Sequence, residues 1–195
     1  MASVPAETGG TTAAHYAAAV GDAFGTAGQD AARVVRDVLA DLGLPWQERQ
    51  PGLFSVSLPG TAKLVTECAL EVGRYRLGAR AFVARQPDEN HVAVYRWLLE
   101  HNLKLRTVCF SLDVAGDIYL TGTLPVAAVS PAALDTLLGE VASTADAAFN
   151  PILELGFASS ITREWAWRRS RGESTANLAA FAHLAPPELP EGPEG

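Results

Sequence analysis

Hydrophobic and polar positions repeat along this chain with two different periods, and these periods predict its secondary structure. The first apolar repeat has the helical spacing, with Asp30 as its N-cap and a stop at Gly43 and Pro45. The apolar face of this predicted helix carries Val34, Val35, Val38, Leu39 and Leu42. The segment LFSVSLPG then alternates apolar residues with serines, which predicts a half-buried strand ending at Pro59.

Two further strands are predicted to form a hairpin around a two-residue loop, Gly73-Arg74. Glycine at the first loop position favours a type II′ turn, which fixes the register of both strands. That register makes one face apolar and places opposite charges across the other, each pair contributing about 0.2–1 kcal/mol. The predicted partners are Val72 with Tyr75, Leu70 with Leu77, Cys68 with Ala79, Glu71 with Arg76, and Glu67 with Arg80.

A helix and a second hairpin follow. Asp88 is predicted to cap a helix through ENHVAVYRWLLEHN, which has Val94 and Leu98 on its inner face. The second hairpin lies in TVCFSLDVAGDIYLTGTLPV, with a three-residue loop. That loop contains Ala115, Gly116 and Asp117, and it aligns Val114 with Ile118 and Leu112 with Leu120.

Two helices are predicted to complete the chain. Ser130 caps and Pro131 begins a long helix. Asn150 and Pro151 are expected to break or kink it, and a last helix reaches Gly172. The order is therefore helix, three strands, helix, two strands and long helix. Because β-α-β alternation is missing, this order predicts an α+β fold, an antiparallel sheet with helices packed on it.

One domain is predicted, over residues 28–172. Residues 1–27 show little amphipathic pattern and are expected to be flexible, although AAHYAAAVGDAF could form a turn or two of helix. The acidic tail, residues 173–195, includes APPELPEGPEG and is expected to be disordered, because its prolines and glycines cannot sustain a helix.

The net charge of −7 comes from the two ends of the chain. Residues 31–172 are neutral, so the basic footprint of a nucleic-acid-binding protein is missing. No apolar run is long enough for a membrane span, and the N-terminus does not resemble a signal peptide. Cys68 and Cys109 have no partner spacing, which favours a reducing cytoplasm. The acidic residues at the ends are Glu7, Asp22, Asp30, Glu173, Glu188, Glu191 and Glu194.

The residues that could carry chemistry all have a simpler structural interpretation. Cys109 lies between apolar neighbours and is expected to be a small buried thiol. His91 and His101 are ten residues apart on one helix, which does not align two metal ligands. Asp113 and Asp117 flank a turn, where aspartate usually accepts bonds from nearby backbone amides. No catalytic residue, cofactor or metal site is therefore predicted.

The segment SITREWAWRRSRGE is unusually dense in tryptophan and arginine. On a helix, Trp165 follows the apolar residues of the inner face, whereas Trp167 points almost opposite. Arg163 and Arg171 lie one turn before and one turn after Trp167. Cation–π contacts could hold this indole, but tryptophan and arginine also dominate protein-interface hot spots. Trp167, Arg163 and Arg171 are therefore the predicted partner-binding residues.

The run YRWLLEHNLKLRTVCFSLDVAGDIYLTGTLPV, followed by ALDTLLGEVASTADAAFNPILELGF, resembles the YbjN domain family of bacteria. The resemblance covers about residues 30–172, and its motifs are apolar patterns around Asp113, Gly116 and Asp117. It implies a fold similar to that of type III secretion chaperones, which are small acidic cytoplasmic proteins that usually dimerise and bind extended segments of other proteins. The family is described as regulators of sensory transduction, and it brings no catalytic residues. The chain contains 13 arginines and 2 lysines, and this preference for arginine suggests a GC-rich genome.

We therefore expect a non-enzymatic cytoplasmic domain, a homodimer that binds another protein or peptide segment in a chaperone-like or regulatory role. Nucleic acid and membrane are not expected partners. The alternative is a small-molecule sensor or an enzyme with a pocket between sheet and helices. Converging polar groups in a closed cavity would favour that alternative, but no sequence motif predicts them.

Overall fold

The computed structural model describes residues 11–187. Four α-helices and six strands make up the fold, in the order α1, β1–β4, α2, β5, β6, α3, α4. The helices are α1 (Thr11–Asp41), α2 (His91–Asn102), α3 (Pro131–Gly156) and α4 (Ala158–Arg171). The strands are β1 (Trp46–Gln50), β2 (Leu53–Pro59), β3 (Val65–Val72), β4 (Arg76–Ala84), β5 (Val108–Leu112) and β6 (Ile118–Pro125). Short 3₁₀ helices cover Val126–Ala128 and Ala176–Leu184.

All six strands form one antiparallel sheet in the order β1-β2-β3-β4-β6-β5. Strands β2, β3 and β4 bury alternate side chains, so one face of the sheet is apolar. Helices α1 and α3 pack on that face, and α2 packs on α3 and β5. This arrangement confirms the predicted α+β fold. The largest fully buried side chains are Phe54, Leu39, Leu70, Leu77, Ile118, Leu120, Leu134, Leu137, Ile152, Val35, Val56 and Val72.

The predicted register of the β3–β4 hairpin is wrong by two residues. Val72 pairs with Leu77 rather than with Tyr75, and the Gly73 amide donates to the Arg76 carbonyl at 2.8 Å. Gly73 does not adopt the positive φ that a type II′ turn requires, so the connection is longer than two residues. A shift of two residues keeps every side chain on its face, and the predicted apolar face is therefore correct.

The predicted ladder of charge pairs does not survive this shift. Glu71 lies opposite Gly78, and Arg80 lies opposite Ala69. The Arg80 guanidinium instead lies 3.9 Å from the centre of the Tyr119 ring. The outer face of the sheet is therefore not held by the predicted cross-strand charge pairs.

The β5–β6 hairpin shows the same two-residue error, because Leu112 pairs with Ile118 rather than with Leu120. The loop is longer because the Asp113 carboxylate accepts bonds from the amides of Ala115 at 2.9 Å and Asp117 at 3.0 Å. The predicted backbone role of Asp113 is confirmed.

The observed helix ends agree only in part with the ends predicted from the sequence. Ser130 caps α3 by accepting from the Ala133 amide at 3.3 Å, as predicted. Asp88 does not cap α2, which begins after Asn90 in the left-handed conformation. Pro151 does not break α3, and the helix continues to Gly156 because Ile152 is buried against the core. The break comes at Phe157, whose φ of −142° and ψ of 16° separate α3 from α4.

Strand β1 and the N-terminal part of α1 were not predicted. Strand β1 is an edge strand that pairs with β2, and none of its side chains is fully buried. Its sequence therefore lacks the apolar alternation that predicts a strand. Helix α1 begins at Thr11 rather than near residue 30, and it is interrupted at Gly25, whose φ of 62° is accessible to glycine at little cost. Residues 1–10 lie outside the described residues.

The chain after α4 packs on the domain instead of leaving it at residue 173. Leu178 and Phe181 of the 3₁₀ segment are buried. The Thr162 hydroxyl donates to the Leu184 carbonyl at 3.1 Å, and Arg169 donates to the Pro186 carbonyl at 2.7 Å. The expected disorder therefore does not describe residues 176–184, because two apolar side chains anchor them. The rest of the predicted tail, residues 188–195, lies outside the described residues.

Candidate functional site

The two tryptophans of α4 point to opposite sides of the helix. Trp165 is 7% exposed and lies on the buried face together with Phe157 and Ile161. Trp167 is 46% exposed. The helical interpretation of this segment and the core position of Trp165 are therefore confirmed, and α4 presents a large aromatic side chain to solvent.

The arginines of α4 differ in what they contact. The Arg171 guanidinium lies 5.0 Å from the centre of the Trp167 ring, as expected from the helical spacing. Arg163 donates to the Ser160 hydroxyl at 2.9 Å, toward the start of the helix. Arg168 pairs with Glu164, one helical turn before it, at 2.6 Å. The exposed aromatic cluster of α4 therefore consists of Trp167 and Arg171.

A second uncovered surface lies on α2, and sequence reasoning missed it. Val92, Leu99 and Leu103 are 83%, 68% and 87% exposed, although each is a large aliphatic residue. Their spacing of seven and four residues places them on one side of the helix, opposite the buried Val94 and Leu98. We call these three residues the α2 outer stripe. The sequence did contain a signal for this surface, because aliphatic residues occur on both sides of the predicted helix.

A charged pair lies beside the α2 outer stripe. Arg96 and Glu100 form an exposed ion pair with 3.0 Å between Nε and Oε1. Together with Tyr95 they line the same shallow depression as the stripe, which has a volume of about 570 Å³. The face therefore combines apolar contact area with one charge of each sign.

A third feature is a groove beside β4, between α3 and α4. The Lys63 ammonium lies 5.2 Å from the centres of both the Phe82 and the Phe149 rings. It donates to the Val83 carbonyl at 3.1 Å. Its backbone is fixed because the Asp146 carboxylate accepts from the Lys63 amide at 2.9 Å. Burial lowers the pKa of Lys63 from its ordinary value.

The loop before α2 holds the start of α4. Asp88 accepts a bidentate contact from Arg85 at 2.6 and 2.8 Å and a bond from the Ser160 hydroxyl at 2.7 Å. The contact with Arg85 lowers the pKa of Asp88 to about 2. Glu89 accepts from the Ser159 amide at 2.7 Å, at the N-terminal end of α4. These carboxylates hold α4 in place and are therefore structural.

The two histidines of α2 contact backbone carbonyls. A ring nitrogen of His91 lies 2.8 Å from the Pro87 carbonyl, and one of His101 lies 2.8 Å from the Trp97 carbonyl. No group of three metal-ligating side chains occurs in the described part of the chain. None of the helices in that part combines the length and apolar character of a membrane span.

Only one cysteine follows expectation. Cys68 is buried, and burial raises the pKa of its thiol to about 12. Cys109 was expected to be buried but is exposed. It alternates with the buried Val108 and Phe110, so the period of the strand places it on the other face. Its sulfur lies 3.6 Å from the Thr121 hydroxyl, a contact that does not activate a thiol as a nucleophile.

A comparison with protein families identifies the chain. The model of the YbjN family, described as "Putative bacterial sensory transduction regulator", matches residues 31–154. The chain belongs to the YbjN family. The matched region of this YbjN protein extends from the last third of α1 to near the end of α3, so it contains the whole sheet and α2.

Its relatives include mycobacterial proteins. An uncharacterized protein of Mycobacterium tuberculosis is 47% identical over 159 residues, which are 79% of this chain and 87% of that protein. An uncharacterized protein of Mycobacterium leprae is 50% identical over 129 residues, which are 66% of this chain and 70% of that protein.

Two solved structures resemble this YbjN protein at low identity. YbjN of E. coli has a TM-score of 0.46 and 15% identity over 62% of this chain and 91% of that chain. The type III secretion chaperone SycH of Yersinia pestis has a TM-score of 0.44 and 16% identity over 59% of this chain and 96% of that chain.

Proposed function

We propose that this YbjN protein is a non-enzymatic regulatory domain that acts as a homodimer and binds another protein. The family description supports a regulatory role. The observation that carries the proposal is the α2 outer stripe, where three large aliphatic side chains are at least 68% exposed. Contiguous apolar patches on a soluble protein mark sites of association. The cytoplasmic location expected from the sequence stays a prediction.

A second copy of this chain is the occupant that fits the stripe. Arg96 and Glu100 lie one helical turn apart on the same side as Leu99. When two copies of α2 meet antiparallel about a two-fold axis, Arg96 of each copy faces Glu100 of the other. The surface is then complementary to itself, which is the condition for a symmetric dimer interface.

Sedimentation of the full chain tests this dimer. The wild-type protein should sediment as a dimer, and Leu99→Glu should convert it to the 20.6 kDa monomer, because a charge then enters the apolar contact. Val114→Glu is the matched control, since Val114 is fully exposed and belongs to the β5–β6 loop rather than to α2. A wild-type monomer at all concentrations, or a dimer that persists in Leu99→Glu, contradicts the proposal.

A charge exchange sharpens the test. Arg96→Glu alone should weaken the dimer, because two acidic residues then face each other across the axis. The double variant Arg96→Glu with Glu100→Arg should restore it, since both pairs re-form with the signs exchanged. A double variant as weak as the single one argues against an antiparallel contact through these residues.

We assign the binding of the partner protein to the exposed aromatic cluster of α4. Trp167 offers a large aromatic surface beside the Arg171 guanidinium, and both residue types are enriched in interface hot spots. Arg163 belongs to the same proposed surface by helical spacing, but its bond to Ser160 leaves it less free to contact a partner. Trp167→Ala should therefore weaken partner binding more than Arg163→Ala does.

A further inference from the structure

The groove at Lys63 is a separate site, formed by the strand β4 and the helices α3 and α4. It has a volume of about 480 Å³, within the range of small-molecule pockets. Its walls are mainly apolar side chains, including Phe82, Phe149, Leu153, Phe157, Ile161 and Leu178. An apolar body placed here would be removed from water on several sides.

The charged residues that line this groove differ in whether they already have an ion-pair partner. Arg85 pairs with Asp88 at 2.6 Å, and Glu164 pairs with Arg168 at 2.6 Å. Among the residues that the structure describes, Lys63 has no carboxylate within ion-pairing distance of its ammonium. Lys63 is therefore the lining charge that can accept an anion without breaking an existing pair.

The position of this ammonium is fixed before any ligand arrives. The Asp146 carboxylate accepts the backbone amides of Thr61, Ala62 and Lys63 at 2.7, 2.7 and 2.9 Å. The rings of Phe82 and Phe149 and the Val83 carbonyl then hold the side chain. An ammonium has three N–H donors, and the Val83 carbonyl uses one of them. A preorganised cation beside an apolar wall binds its ligand at a lower entropic cost.

We propose that this groove binds a small amphipathic monocarboxylate, such as a medium-chain fatty acid. Its carboxylate meets the ammonium of Lys63, and its hydrocarbon chain lies along the apolar walls. The carboxylate supplies the counter-charge that the partly buried lysine lacks, and the chain displaces water from the rings. This inference does not depend on the proposed dimer, because it uses residues outside α2.

Calorimetric titration with decanoate, below its micellar concentration, tests the proposal on the full chain. Decanoate should bind the wild-type protein, and the binding should weaken about tenfold or more in Lys63→Met, which removes the charge but keeps the chain length. Lys104→Met is the matched control, since Lys104 is the other lysine and is exposed. It should bind decanoate like the wild type.

Ligand chemistry provides a test that needs no variant. Decanol and decylamine carry the same chain, but decanol lacks the charge and decylamine has the opposite sign, so both should bind more weakly than decanoate. Backbone NMR shifts on adding decanoate should centre on Ala84, Leu153 and Leu178, which line the groove. Equal affinity for the three ligands, equal affinity in Lys63→Met, undetectable decanoate binding, or shifts centred elsewhere overturns the proposal.

The pH dependence adds an independent readout. Decanoate binding requires a protonated Lys63, so the binding constant should fall as the pH rises above the pKa of that lysine in the free protein. Burial lowers this pKa in the free protein, whereas a bound carboxylate raises it, and binding should therefore take up protons at alkaline pH. A binding constant that stays unchanged throughout the alkaline range overturns the role of Lys63.

Discussion

Replacing each tryptophan of α4 with alanine tests how this helix packs on the core. Trp165 is 7% exposed and belongs to the same buried cluster as Phe157 and Ile161. Trp165→Ala should therefore lower the free energy of unfolding by about 3–5 kcal/mol, the range for large aromatic truncations in a core. The contact of its ring with the Arg169 guanidinium, at 5.1 Å, is lost as well.

Trp167→Ala should have a much smaller effect on stability, because its side chain is 46% exposed. Losing the cation–π contact with Arg171 costs about 0.5–1 kcal/mol at an exposed site. The total should therefore stay near 1 kcal/mol. The same substitution should reduce binding of the partner protein, because it removes the aromatic part of the proposed surface.

Urea unfolding followed by far-UV circular dichroism compares the two variants. Fluorescence is less suitable, because each variant removes one of the four tryptophans that would supply the signal. The urea dependence of the free energy should match the wild type in both variants, so that midpoints report stability. Equal losses in the two variants would refute the opposite placement of the side chains, and unchanged partner binding in Trp167→Ala would remove that residue from the proposed interface.

Two more substitutions test contacts that the sequence did not predict. Phe181→Ala should lower the free energy of unfolding by about 3 kcal/mol, because Phe181 is 6% exposed, and a neutral result in urea unfolding would show that the 3₁₀ segment does not dock. Asp146→Asn should cost about 1–3 kcal/mol at pH 7, because the carboxylate accepts three backbone amides and its pKa is therefore lowered in the folded state. A lowered folded pKa stabilises the protein above the unfolded pKa of about 3.9, and that contribution is lost as the pH falls through the folded value. The stability difference between the two proteins should therefore shrink in acid, and a constant difference contradicts the role of the charge.

The faces of the strands could be predicted from the sequence, whereas the registers could not. Cys68, Leu70 and Leu77 lie on the buried face as the period-two pattern indicates. Both hairpins are displaced by two residues, because their turns depend on backbone conformations that the local sequence does not reveal. Gly73 does not take the positive φ assigned to it, and Asp113 organises a longer loop through its carboxylate. An error of two residues keeps every side chain on its face, although it changes the cross-strand partners on both faces.

The candidate sites were harder to predict than the fold. The exposure of Trp167 followed from helical spacing, since Trp165 had to be the buried one of the two. The α2 outer stripe was missed because Val94 and Leu98 already satisfied the expected inner face. The groove was missed for another reason: Lys63 and Phe149 are 86 positions apart in the sequence and meet only through the tertiary fold.

Several carboxylates of the folded domain make contacts that stabilise the fold. Glu48 accepts from the Arg36 guanidinium at 2.7 Å, and Asp88 accepts from Arg85. Glu89, Glu140 and Asp146 accept backbone amides from segments distant in sequence. In each case the pKa of the carboxylate is lowered in the folded protein, so the charge stabilises the fold at neutral pH. These charges are committed to internal contacts, and recognition therefore falls to the surfaces that are left uncovered: the α2 outer stripe, the aromatic cluster of α4 and the groove at Lys63.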